Sequence, residues 1–306
     1  MEVLVAILLT VATAATPLLI AAIGELVVER SGVLNLGVEG MIIMGAVSGF
    51  IAGYVTGSPW LGLLAAIVVG ALFSLLFGFM VLTLATNQVA TGLSLTLLGL
   101  GLSGMIGAKF VGVPGPKLSN LYIPGLTDLP VVGRLVFGQD PVVYLSIALT
   151  FGVGWFLFRT RTGLTLRAIG DSHGSAHALG ISVVGYRYLA VMFGGACSGL
   201  AGGYLSLVYT PQWTENMSAG RGWIALALVV FASWRPWRVL GGAYIFGAVW
   251  IGQLHAQAFG IPVPGQVLAA APYAATILVL VLISRNKRLT MMNTPASLGQ
   301  PFVPDR

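Results

Sequence analysis

His173 and His177 stand four residues apart in SHGSAHA, a spacing that puts two imidazoles on one face of a helix, and Asp171 lies just before them. Such a trio suits a transition metal only if a further ligand closes the set, and a loop pair of histidines lacks that closure. The pair reads as solvated surface, and no metal site is expected. The one cysteine, Cys197, sits in an apolar run, which leaves neither a disulfide framework nor a thiolate cluster. A phosphate-cradling P-loop needs Gly-Lys-Ser or Gly-Lys-Thr, and none of Lys109, Lys117 and Lys287 follows a glycine. Gly99, Gly101 and Gly104 match G-x-G-x-x-G, but inside an apolar run with no strand ahead of it. H-E-x-x-H and G-x-S-x-G are absent, and no paired carboxylates are expected inside a membrane segment. No catalytic residue is assigned, and the chain is not expected to be an enzyme.

Polar groups set into apolar runs point to a different kind of work. Polarity inside hydrocarbon is costly, so such residues face a cavity or a partner. Glu39 opens the second apolar run, in NLGVEGM. It either favours a helix N-terminus, where carboxylates are stabilised, or lines a gate. Asn87 and Gln88, in TNQVATG, either cap the fourth run or line the inner mouth of a pathway. Gln253, His255 and Gln257 cluster in the eighth run, where alternate residues do not share a helix face.

The elements that must hold these residues are membrane helices. The chain is 57% hydrophobic and 8% charged over 306 residues, whereas a soluble domain carries about 25% charged residues. It cannot cover a water-facing surface, so lipid is its surroundings. Apolar runs at about 3–24, 37–56, 60–83, 89–108, 141–158, 188–209, 222–234, 239–259 and 267–284 predict an all-α polytopic bundle of about nine spans. The 222–234 run is short for a crossing of about 20 residues. Glycines recur every fourth residue at Gly45, Gly49, Gly53 and Gly57 and again at Gly195, Gly199 and Gly203, a spacing for close helix packing. The N-terminus does not read as a secretory signal, because Glu2 replaces the positive n-region.

Lys and Arg set the orientation. One set of loops holds Arg30, Arg159, Arg161, Arg167, Arg187, Arg235, Arg238, Arg285, Lys287, Arg288 and Arg306, and the other only Lys109, Lys117, Arg134 and Arg221. The N-terminus is then expected outside and the C-terminus in the cytoplasm. This placement accounts for the net charge of +6 without a nucleic-acid partner. One transmembrane domain over 1–288 follows, with a Pro- and Gly-rich outer loop at about 109–140 and a polar cytoplasmic tail, 289–306, expected to be disordered.

The loop at about 159–187 is the most basic interruption, with Arg159, Arg161 and Arg167. Within it Arg167, Gly170, Asp171, Ser172, Ala176, Leu179 and Gly180 form a compact unit. Asp171 or Ser172 can cap a short helix, and Gly180 can end it. Such a helix on the cytoplasmic side either docks in a partner or is a plain connector.

Three stretches carry a resemblance: ERSGVLNLGVEGMIIMGA (29–46), LRAIGDSHGSAHALGI (166–181) and YTPQWTENMSAGRGWIALALVVFASWRP (209–236). Together they resemble the permease subunits of bacterial ABC importers for branched-chain amino acids, simple sugars and nucleosides. TENMSAGRGWIALA is most similar to nucleoside permeases that work with basic-membrane-protein-type lipoproteins. The resemblance implies a type II-like helical permease fold in the inner membrane, with two permeases around one path and usually a different second chain. It also implies an ABC ATPase below, which carries ATP and magnesium while this chain has no cofactor, and an external substrate-binding protein. By motif, Ser172 to Leu179 corresponds to the coupling helix, Glu39 and Gly40 to N-L-x-x-E-G, and Asn87 and Gln88 to N-Q-V. Thr214, Glu215, Asn216, Gly220 and Arg221 match T-E-N-M-x-x-G-R-G on the outer side. The expected function is ATP-driven nucleoside import. Sugar, branched-chain amino-acid or vitamin cargo, or an ATP-independent channel or carrier, stand as alternatives. His173, His177, Trp234 and Trp237 depart from the family pattern.

Overall fold

The computed structural model describes residues 2–129, 132–258, 264–271, 274–275, 277–278, 281 and 293–303. Among them, seven helices are long and apolar enough to cross a membrane. They are α1 (Glu2–Arg30), α2 (Val38–Thr56), α3 (Pro59–Gly78), α4 (Gln88–Gly107), α6 (Pro141–Arg159), α9 (Val183–Tyr204) and α11 (Pro236–Ala258). Shorter helices are α5 (Val132–Phe137), α7 (Arg161–Asp171), α8 (His173–Ala178), α10 (Arg221–Phe231) and α12 (Gly265–Ala269). α3 and α9 each run on into a π-helical turn, Phe79–Thr83 and Leu205–Tyr209.

Seven of the nine expected spans therefore appear. The first runs on to Arg30, because nothing in ELVVER stops a helix before Ser31 and Gly32. The 222–234 run yields only α10, with 11 residues, and 267–284 lies largely outside the described residues.

Lipid tails are as apolar as leucine, so membrane helices associate by close van der Waals fit. The glycine ridges supply it. A Cβ on Gly45 would come 2.5 Å from the Gly199 Cα, and one on Gly70 would come 2.6 Å from the same atom. Gly49 meets Gly203 and Gly62 in the same way. α2, α3 and α9 thus touch backbone to backbone. α1 lies in the middle and is apolar on all sides from Pro17 to Gly24, with Leu19, Ile20, Ile23 and, a turn on, Leu26 fully buried.

The two ends of the bundle differ. At one, which we call the basic end, α6 finishes at Arg159 and the α7–α8 pair turns back under Arg30 and Arg187. At the other, residues 111–118 fold onto 207–213, with Gly115 N–H on Pro211 O at 3.0 Å and Leu118 N–H on Leu207 O at 3.1 Å. There Asp140 caps α6 and accepts a 2.8 Å hydrogen bond from the Tyr204 hydroxyl. Burial pushes the Asp140 carboxyl above its ordinary value.

Residues 293–303 differ from the disordered tail that their composition suggests. Ser297 N–H donates to Gly170 O at 2.8 Å and Gly299 N–H to Gly32 O at 3.1 Å. Arg30 Nη1 donates to Asn293 O at 2.9 Å. Polar backbone contacts hold the segment, and these leave no hydrophobic signature in a sequence.

Candidate translocation and coupling site

The two motifs around Glu39 and Gly220, far apart in sequence, form one junction. Glu39 stands in the first turn of α2, buried, and its carboxylate reaches the start of α10. Oε1 accepts from Gly220 N–H at 2.8 Å and Oε2 from Gly222 N–H at 2.6 Å. The first amides of a helix have no partner of their own and carry the positive end of its dipole, so a carboxylate is well placed there. Gly222 is required by contact: a Cβ would lie 2.6 Å from the Glu39 backbone. The glutamate thus serves its own helix and a second one.

Residues 210–220 lead to this junction from the far end of the bundle, where Trp213 is fully buried over Gly107. The segment turns on left-handed residues at Asn216 (φ 55), Ala219 (φ 48) and Gly220 (φ 79). Arg221 braces it, donating from Nη1 to Met217 O at 3.0 Å and Ser218 O at 3.2 Å. Its guanidinium lies over Tyr209 at 5.4 Å and Trp250 at 4.8 Å. Residues 210–231 therefore pass through the bundle as an irregular segment followed by a short helix. Irregular backbone at membrane depth is tolerated where protein groups satisfy it, and broken helices of this kind surround the substrate paths of transporters.

The connector between α1 and α2, residues 31–37, gathers the remaining motifs. Gln88 accepts from Leu34 N–H at 2.7 Å and donates to Gln300 O at 3.4 Å. Thr96 donates to Leu36 O at 3.0 Å, and Arg187 Nε donates to Ser31 O at 3.0 Å. Asn87 is exposed and caps α4 through Ala90 N–H at 3.0 Å. Thr214 is half-buried, and Glu215 is exposed on the 210–220 segment. α11 reaches the junction through Trp250, while Gln253, a turn later, is buried with its Oε1 unpartnered. His255 Nδ1 lies 3.0 Å from Ile251 O on its own helix. Neither is brought to Glu39.

One expectation is overturned here. Glu25 and Glu29, a helical turn apart on α1, are both buried in a spanning segment. The run-length reading ended the first span at residue 24 and so excluded them. Glu25 Oε1 accepts from Asn35 N–H at 3.3 Å, and Glu29 Oε2 accepts from the Trp234 indole at 2.5 Å. Trp234 has φ 53, after Ser233 with φ 49. Left-handed backbone costs a side-chain-bearing residue about 1–2 kcal/mol, so the turn needs bonds that hold it. The indole bond to Glu29, and the Arg30 Nη2 bond to Trp234 O at 3.1 Å, hold the turn.

At the basic end, Thr160 caps α7 through Gly163 N–H at 3.0 Å. Arg167 lies over Phe158 at 4.9 Å. Gly170 backs onto Arg30 O with no room for a Cβ. Asp171 ends α7 and is exposed, and Ser172 caps α8 by accepting from Ser175 N–H at 3.3 Å. Gly180 (φ 78) closes α8: its N–H bonds His177 O at 2.8 Å, and Ile181 N–H bonds Ala176 O at 3.1 Å. This is a Schellman ending. Ala176 faces inward while Leu179 is 81% exposed.

A family model described as branched-chain amino acid transport system / permease component matches residues 7–284. The chain belongs to this family. It is 39% identical to the putative glucose ABC transporter permease protein TsgC13 of Haloferax volcanii, over 94% of each chain. It is 35% identical to the guanosine ABC transporter permease protein NupQ of Bacillus subtilis, over 94% of this chain and 93% of that one. The nucleoside ABC transporter permease protein NupC of Lactococcus lactis is 30% identical over 87% and 88%. No solved structure matches the chain. As an ABC permease, the protein is a multi-pass membrane subunit and not an enzyme. Its family implies an ATPase and a substrate-binding protein as partners.

Proposed function

We propose that this permease forms half of an ATP-driven import path for nucleosides, and that α8 is its coupling helix. The observation that carries the reading is α8 itself. It is a capped helix on the basic end, mounted on α7, which Gly170 seats against α1, and it holds Leu179 out to solvent. Basic ends face the cytoplasm, so the ATPase lies below α8, and the N-terminus of α1 lies outside a bacterial inner membrane. ATP and magnesium belong to that ATPase. Movement of α8 passes through α7 and Arg30 into the 31–37 connector, and from there to Glu39 and the α10 junction. The pathway residues are then Glu39, Asn87 and Gln88, with Gln253 and His255 further along.

A second, related permease completes the path. Asn87, Ala90, Ser94, Leu97 and Gly101 recur at alternating three- and four-residue steps along α4, and all are exposed. This exposed face, with small Ala90, Ser94 and Gly101 around Leu97, is suited to a neighbouring membrane helix. Nucleoside cargo is supported by the likeness to the guanosine and nucleoside permeases and by TENMSAGRGW. Sugar cargo is the second reading, favoured by the 39% identity to the glucose permease. Uptake of labelled guanosine, adenosine and glucose by cells with and without the gene, before and after ATP depletion, separates them. Gene- and ATP-dependent guanosine uptake is expected. Gene-dependent uptake of glucose alone would move the cargo to sugars, and uptake that survives ATP depletion would make the protein a channel or carrier.

A further inference from the structure

α8 has six residues, far fewer than the roughly 12–15 at which an isolated helix holds together in water. Its caps satisfy its backbone, but Ala176 is its one buried side chain. Two outside groups grip it. From α9, Arg187 Nη2 comes within 3.3 Å of His173 Nδ1. From the C-terminal segment, the Phe302 ring lies 5.2 Å from the His173 ring and 5.4 Å from the His177 ring, measured between centroids. Phe302 also packs against the small cluster of Ile169, Ala176 and Val183 beneath the helix. The segment bearing Phe302 is itself anchored on both sides of α8's mounting. Ser297 bonds Gly170 O and Asp171 O, Gly299 bonds Gly32 O, and Gln300 O accepts from Gln88.

We propose that residues 293–303 are a brace for α8, and that Phe302 is the positioning residue that sets the surface α8 presents to the ATPase. The inference rests on the reading of α8 as the coupling helix and extends it: the docking surface is composite, built from a loop helix and the C-terminal segment of the same chain. It also gives the two histidines a role, as the aromatic seats for Phe302.

The test uses the whole transporter, with its ATPase and binding protein, in lipid nanodiscs. Amide hydrogen exchange over 172–181 is followed for wild type, Phe302→Ala and Phe302→Tyr, together with cargo-stimulated ATP hydrolysis and uptake. Phe302→Ala should speed exchange in α8 about tenfold, the scale expected when two ring contacts leave a local opening equilibrium. Amides of α2 and α9 should stay unchanged, and stimulated hydrolysis and uptake should fall severalfold. Phe302→Tyr keeps the ring and should restore both. Unchanged α8 exchange in Phe302→Ala overturns the brace. Faster exchange with undiminished uptake overturns its role in coupling. Failure of the underlying reading is visible separately: a deletion of α8 then transports at the wild-type rate whatever Phe302 does to exchange, and the coupling half of the proposal falls with it.

Discussion

At the scale of single residues, Glu39 decides most. A buried amide at Gly222 and a part-buried one at Gly220 depend on its carboxylate, and orphaning a buried amide costs about 1–3 kcal/mol. Glu39→Ala should lower the melting temperature of the purified permease markedly. Glu39→Gln keeps one acceptor oxygen and should lose less. Equal melting of all three proteins would show that α10 does not need this cap. The sequence left Glu39 between a helix-end role and a gate, because the amides it serves belong to a helix 181 residues away. His173 was read as solvated surface for a similar reason. Arg187 can only donate, so the 3.3 Å contact requires a neutral His173 with Nδ1 as acceptor. Burial, and after it the Arg187 charge, hold the His173 pKa below the ordinary value. The packed state thus binds fewer protons than an opened one. Its stabilisation is full above about pH 6.5, the free histidine value, and is lost as pH falls below it. Protection of the α8 amides, corrected for intrinsic exchange rates, should decline on acidification. His173→Asn should flatten that decline, and a decline that persists in the variant would assign it to another group.

At the scale of elements, the glycines separate packing from exposure. A Cβ on Gly199 would strike Ala66 O, with Gly70 Cα at 3.0 Å, whereas Gly101 has nothing within 4 Å. Gly199→Ala should therefore destabilise by about 1–3 kcal/mol, as overpacked cores do, while Gly101→Ala should be neutral or slightly stabilising through helix propensity. Thermal melts in detergent check both, and similar losses at the two sites would contradict the helix contacts. The ridges on α2 and α9 were legible from their four-residue spacing. So were seven spans and both ends of α8, since caps and αL glycines are local signals. The end of α1 was not: Glu25 and Glu29 look like the margin of a span until Trp234 and Asn35 are seen to receive them. The broken course of residues 210–231 showed only as an apolar run too short to cross.

At the scale of the molecule, the family motifs turn out to be parts of one connected structure. The α7–α8 unit touches the 31–37 connector through Gly170 and Gly32, that connector meets the N-Q-V motif through Leu34 and Gln88, and the N-L-x-x-E-G motif meets T-E-N-M-x-x-G-R-G through Glu39. Sequence order hid this, because each contact crosses tens to hundreds of residues. The resemblance singled out these motifs without showing that they converge. The convergence gives a physical route from α8 at the basic end to the short helix α10 inside the bundle. The most direct test is uptake of labelled guanosine by cells carrying the complete transporter, with residues 172–180 deleted from this subunit and its membrane insertion verified. Normal insertion with uptake reduced to background is the predicted result. Uptake at the wild-type rate would contradict the account.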